Sequence, residues 1–365
     1  MKIIQSYIPY KNPYKIDLDK DYLYSMMLSS VLLKKHYGNV LLYTNEKQKS
    51  FLEKFYFPYE YDTTILSKEK GDVFAFTKLN SILAQMNDFI HFDLDTFVFK
   101  PFNLEKYQSN FIFSHNDVGI LAKDLENYET VEEQLGSQSY KDIYDTYLKF
   151  YFNNRNILEN NRNFKSEHLK LSEIPNMNII CVRNSGVEIF KEAIRNSYLV
   201  YEDIKKDIDK EWIGSAFIEQ LTIPLQIKEF SENYKNNIEK TTLFGDSPMY
   251  PKNKKEEVIF SGNQYCSECG FTHESKVEID LIKDNLSKLK YFHSGGNKHD
   301  KLIKYLVLKT LIEITDLDSV IEMSNTYNII CAENNKKTYL SESEILYNEF
   351  ANSNIFTLDK NKSLF

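Results

Sequence analysis

The first hundred residues alternate short apolar, β-rich runs with stretches whose apolar positions recur every three or four residues. That alternation predicts strand–helix–strand units and a mostly parallel sheet covered by helices. Residues 2–7 read as the first strand. Over 19–36, Leu23, Met27 and Val31, with Tyr24, Leu28 and Leu32 beside them, keep helical spacing, and Gly38 stands where a helix C-cap belongs. A second strand covers 40–44 and a short helix 45–55; a better helix over 74–86 turns Phe76, Leu83 and Met86 toward the core. Residues 88–92 form an apolar strand that ends on Asp93-Leu94-Asp95, and 96–101 resume an extended run closed by Pro101.

Beyond Asn103 the pattern weakens. Residues 103–173 are polar, rich in Asn and Tyr, and read as an insertion with a helix at 140–152. Regular signals return as a strand at 178–182 and helices at 187–198 and 212–221. A charged loop at 252–257, a closing strand at 289–292 and a long helix at 301–314 complete the series. Without internal repeats or a Pro/Ser/Gly-rich linker, the chain reads as one domain over 1–300 with a C-terminal helical extension, 301–365. The expected class is α/β: a Rossmann-like, mostly parallel sheet flanked by helices.

Composition excludes several functions. The 365 residues are 42% hydrophobic and 27% charged, so the chain folds around a core. With 45 basic against 53 acidic residues it carries −8, no field to attract nucleic acid. The four cysteines, Cys181, Cys266, Cys269 and Cys331, make no disulfide framework and fit a reducing compartment. The start of the chain lacks a secretory pattern, and no apolar run reaches the roughly 18–20 residues that span a bilayer. The expectation is a cytoplasmic protein, at most peripheral at the inner membrane face.

Two side features compete for attention. Cys266-Ser267-Glu268-Cys269 with His273 has half of a zinc-site spacing, but a second CxxC is missing. Leu302, Tyr305, Leu306, Leu308 and Leu311 give the 301–314 helix an apolar face among lysines. Packing against the sheet is its favoured use; lying on an anionic membrane is the other.

The chemistry concentrates at Asp93 and Asp95. A turn directly after the strand would bring both carboxylates round as hard oxygen ligands for Mg²⁺ or Mn²⁺. In open α/β sheets ligands bind at that carboxyl edge. Two desolvated charges at a sheet edge are costly unless a ligand offsets them.

The block Ile90-His91-Phe92-Asp93-Leu94-Asp95-Thr96-Phe97-Val98-Phe99-Lys100-Pro101-Phe102 resembles the hhhDxDhhhhkPh signature of GT-A nucleotide-sugar glycosyltransferases. The likeness is greatest to the glycogenin- and galactosyltransferase-like family 8 and related bacterial capsule-type enzymes. Their late His-x-x-Gly-x-x-Lys signature is similar to His293-Ser294-Gly295-Gly296-Asn297-Lys298, with His293 and Gly296 in place and the lysine one position early.

The resemblance implies a GT-A fold with 103–173 on the acceptor side, and Mn²⁺ or Mg²⁺ held by Asp93, Asp95 and His293. Gly296 and Lys298 would approach the diphosphate, and Lys78 would contact the donor. Strand-end residues Gln5, Ser6, Thr44 and Asn45 would line the nucleotide. Asn176-Met177-Asn178 would open an acceptor-side strand. Glu219 and Gln220 would stand near the sugar, Glu219 as general base for an acceptor hydroxyl or as a hydrogen-bond partner of the donor. Taken alone, Lys78 and Glu219 read equally as solvated helix charges, and His293 as a surface histidine.

The implied activity is transfer of a sugar from a nucleoside-diphosphate donor, UDP-linked, to a hydroxyl of a glycan or lipid-linked acceptor. A haloacid-dehalogenase-type phosphatase shares an Asp-x-Asp after an apolar strand, but it wants Thr or Val where Phe97 stands. A sugar-nucleotide pyrophosphorylase would need a Gly-rich loop after the first strand. A non-catalytic glycan-binding protein with the same fold is the alternative from outside enzymology.

Overall fold

The computed structural model describes residues 1–9, 19–69, 73–114, 116–117, 174–205, 217–224, 226–227, 239–243, 260–261, 286–288, 290–294, 301–334, 336 and 340–352. Seven strands form the central sheet: β1 (Lys2–Ser6), β2 (Val40–Tyr43), β3 (Tyr59–Asp62), β4 (Phe89–Phe92), β6 (Phe111–Phe113), β9 (Ile179–Val182) and β10 (Lys240–Thr242). Their order is β10-β6-β9-β4-β1-β2-β3. β9 alone runs against its neighbours, so the sheet is mostly parallel and Rossmann-like. A small sheet, β11 (Phe260–Ser261), β12 (Tyr291–His293) and β5 (Thr96–Val98), and a short pair, β7 (Asn116–Asp117) with β8 (Ile174–Pro175), complete the strands.

Alternation along the buried strands divides the core. Ile3, Ile90, Phe92, Ile179 and Cys181 face α1 (Lys20–Tyr37), α5 (Lys301–Ile314) and α6 (Leu317–Glu333). Ile4, Phe89, Ile180 and Val182 face α3 (Phe74–Leu83) and α4 (Gly186–Ile204) on the other side. Strands buried on both faces read as continuous apolar runs; β9 does, and β4 does but for His91.

Local chemistry sets the ends of α1. The Asp19 side chain accepts from the Asp21 N–H at its start, and Gly38, at φ +85°, closes it with its N–H on the Lys34 carbonyl. Asn45 caps α2 (Glu46–Leu52) in the same way, accepting from the Gln48 N–H.

Three expectations are corrected. α3 ends at Leu83, and Met86, beyond its end, is 76% exposed. Phe76 and Leu83 pack against the core as expected, Phe76 on Tyr198 and Tyr201 of α4, while Ala75, Leu79 and Ile82 are the fully buried positions. Residues 103–173 are not wholly an insertion, because Phe111-Ile112-Phe113 is β6, inside the central sheet. Three residues are too few to show a period. Tyr305, Leu306, Leu308 and Leu311 of α5 are buried in the core beside α1, so a lipid surface cannot use them.

No helix among the described residues is long and apolar enough to cross a membrane. The charged loop at 252–257, the helix at 140–152 and the Cys266, Cys269 and His273 group lie outside the described residues.

Candidate functional site

β1 has β2 on one side and β4 on the other, and the chain reaches β4 only after passing through β2 and β3. This is the switch point where an open α/β sheet leaves a crevice at its carboxyl edge. β4 delivers Asp93 there. The chain then turns, with the Thr96 N–H on the Asp93 carbonyl at 3.1 Å and Leu94 buried beneath, so Asp95 comes round beside Asp93.

The third member arrives from the far end of the chain. β12 pairs antiparallel with β5 so that His293 is opposite Thr96, and the Ser294 N–H binds the Asp95 carbonyl at 3.1 Å. His293 Nε2 lies 3.4 Å from Asp95 Oδ1. One ligand atom each of Asp93, Asp95 and His293 all fall within 4.8 Å of one another. Metal–ligand bonds of about 2.1 Å span up to about 4.2 Å between opposite ligands, so small side-chain rotations suffice to close the set on one ion. Two carboxylates and an imidazole suit a divalent cation of the Mn²⁺ type. Among the described residues, Nδ1 of His293 is buried without a hydrogen-bond partner.

Behind the triad stands a second charged group. Lys78, on the inward face of α3, lies 2.6 Å from Asp93 Oδ1, forms a close ion pair with Glu219, and donates to the Met177 carbonyl at 3.1 Å. Glu219 projects from a π-helical turn, Phe217–Thr222, a local form that recurs at functional sites. Both side chains are buried, so neither is a solvated helix charge. Burial lowers the Lys78 pKa, but Asp93 and Glu219 outweigh it and leave the ammonium above its ordinary range. For Glu219 burial dominates and the carboxyl ends raised, although Lys78 pulls it down.

The surrounding side chains are scaffold. Gln5 is fully buried: its Nε2 donates to Ser29 Oγ at 3.0 Å and to the Asp93 carbonyl at 3.1 Å, while Oε1 accepts from Tyr59 OH at 2.7 Å. Thr44 is equally buried, its hydroxyl on the Tyr7 carbonyl, and Asn45 caps α2. In the structure these three side chains are supports of the site, held by protein partners. Ser6 keeps partial exposure and meets His91 Nε2 at 3.1 Å.

The stretch before β9 braces the site because β9 runs antiparallel to β4. Asn178 accepts the Asp93 N–H at 2.9 Å and donates its side-chain amide to Tyr291 OH, while Asn176 orients Asn178 through a 3.0 Å bond. Gly295, Gly296 and Lys298, and the side chain of Gln220, lie outside the described residues.

His91 was not foreseen as part of the site. It is buried in β4, with Nδ1 3.8 Å from Asp93 Oδ1. Burial, and then the Lys78 charge, hold its pKa well below the usual histidine value, so the ring is neutral at physiological pH. The available signal was a lone imidazole inside an otherwise apolar strand.

No curated protein matches the chain. Residues 1–161 are similar to a family of unknown function, DUF6734, a match that takes in Asp93 and Asp95 and stops short of Glu219 and His293.

Proposed function

We propose that this protein is a metal-dependent glycosyltransferase that moves a sugar from a nucleoside-diphosphate donor, UDP-linked, to a hydroxyl of a glycan or lipid-linked acceptor. The observation that carries the reading is the convergence of Asp93, Asp95 and His293 within 4.8 Å at the sheet's switch point. Mn²⁺ or Mg²⁺ held by these three would stabilise charge on the departing diphosphate.

The chain's own groups supply the rest. Lys78 adds a positive charge beside Asp93, and Gln5 and Asn178 hold the Asp93 backbone from two sides. Glu219, whose proton affinity burial raises, is the carboxylate to receive an acceptor hydroxyl's proton or to bind a donor hydroxyl. Gln220, Gly296 and Lys298 keep the sugar and diphosphate roles that the resemblance implies. Cys181 and Cys331 are buried free thiols, which supports a reducing, cytoplasmic setting.

The test is calorimetry with UDP, with and without Mn²⁺, followed by a mass-spectrometric screen of nucleotide sugars for donor hydrolysis. The expected result is Mn²⁺-dependent UDP binding that Asp95→Asn and His293→Ala each weaken by at least about a hundredfold, with the fold intact. Unchanged affinity in both variants, or binding indifferent to Mn²⁺, overturns the metal centre. Turnover of p-nitrophenyl phosphate with no donor hydrolysis would select the phosphatase alternative.

A further inference from the structure

A lysine ammonium has three donors, and those of Lys78 meet three acceptors: Asp93 Oδ1 at 2.6 Å, the Glu219 carboxylate, and the Met177 carbonyl at 3.1 Å. Only Asp93 belongs also to the metal triad, and at 24% side-chain exposure it is more open than Glu219 at 10%. The ammonium therefore already sits, from the protein side, on a carboxylate that a divalent cation would need. Three carboxylates, Asp93, Asp95 and Glu219, against the one ammonium of Lys78 leave a formal charge of −2, which one divalent cation cancels.

We infer that Lys78 and Glu219 together set the metal affinity: Lys78 is a resident cation that competes for Asp93, and Glu219 is the second carboxylate onto which it withdraws when metal binds. Two like charges cannot crowd one carboxylate cheaply, even one as open as Asp93. The Glu219 contact already exists, so withdrawal requires a small shift of the ammonium and leaves it paired. Lys78 and Glu219 are positioning residues here, acting on the metal through Asp93. The inference rests on the metal centre proposed above.

It predicts opposite signs for two neighbours. Lys78→Met removes the competitor and tightens Mn²⁺; Glu219→Gln leaves Asp93 as the one carboxylate for Lys78 and weakens Mn²⁺, each by about fivefold or more. The decisive variant is Lys78→Met/Glu219→Gln, whose formal sum is again −2, so that only direct competition is lost.

The assay is titration of the full-length chain with Mn²⁺ alone, free metal read by electron paramagnetic resonance, on proteins whose circular dichroism and melting curves match the wild type. The expected result is a double variant that binds Mn²⁺ more tightly than wild type. Equal or weaker binding by the double variant, or the same sign for both single variants, overturns the inference while the metal centre stands. If Lys78→Met alone does not fold, the double variant, which buries no unpaired charge at this pair, decides. Absence of Mn²⁺ binding by the wild type overturns both.

Discussion

Replacing Lys20 by Met tests what fastens the C-terminal helices to the rest of the molecule. Lys20 opens α1, and its ammonium reaches Glu344 Oε2 at 3.0 Å and Oε1 at 3.3 Å, with Ser324 Oγ at 3.2 Å. Glu344, in α7 (Glu342–Asn352), also accepts from Tyr24 OH at 2.5 Å, Ser324 Oγ at 2.6 Å and the Ser341 N–H at 2.7 Å. Both charged side chains are 0% exposed. Removing the cation leaves a carboxylate buried among neutral donors, and breaking such a pair costs about 3–5 kcal/mol.

With an unfolding entropy near 2.1 cal/mol/K per residue, a cooperative transition of the 365-residue chain would move down by about 4–6 °C. Differential scanning calorimetry with urea titration measures this. The control is Lys20→Met/Glu344→Gln, which removes both charges while keeping an acceptor for Tyr24 OH, Ser324 Oγ and the Ser341 N–H, and should recover most of the loss. A single variant within about 1 kcal/mol of wild type, or a double variant that adds the two losses, would refute the reasoning.

Other expectations follow from individual contacts. Gln5→Leu removes the acceptor of the buried Tyr59 OH and one of the two donors on the Asp93 carbonyl, and should cost about 1–3 kcal/mol, read from the urea midpoint; an unchanged midpoint would remove Gln5 as a support. A Cβ on Gly186 would stand 3.1 Å from the Asn110 Cβ and carbonyl oxygen and 3.2 Å from Phe111 Cε1, so Gly186→Ala should destabilise by about 1–3 kcal/mol through crowding of α4 against β6. His91 stays neutral when folded but takes up a proton below about 6.5 when unfolded, so it erodes stability as pH falls from there, by up to about 1.4 kcal/mol per unit. Urea unfolding in chelator at pH 7 and 5.5 should therefore show a loss about 1 kcal/mol smaller in His91→Gln than in wild type, and parallel losses would contradict the assignment.

The alternation of apolar runs and helical spacing was enough to predict β1, α1, β2, β4, β9 and α5 closely, because each is long or apolar enough for its period to show. The acidic doublet at the end of β4 was legible for the same reason: the strand's apolar signal stops at Asp93, which puts both carboxylates at the sheet's carboxyl edge. The deepest face of α3 was not legible. Phe76 and Leu83 do pack at the core's edge, but only packing against β1 and α4 left Met86 outside and buried Ala75, Leu79 and Ile82 fully, carrying Lys78 inward with them.

The same holds for the supports. Gln5 and Thr44 sit at strand ends, as a ligand-lining reading required, yet nothing in a one-dimensional pattern says that Ser29, Tyr59 and Tyr7 already hold their polar atoms. Sequence determined which residue types could bind a cation and that the sheet would present some of them at one edge. Whether His293 meets Asp95, and whether Lys78 and Glu219 stand behind Asp93, depended on the β5–β12 register and on the antiparallel insertion of β9 beside β4. Those are pairings between distant segments, fixed by burial and backbone hydrogen bonding across the whole core, and local periodicity carries no record of them.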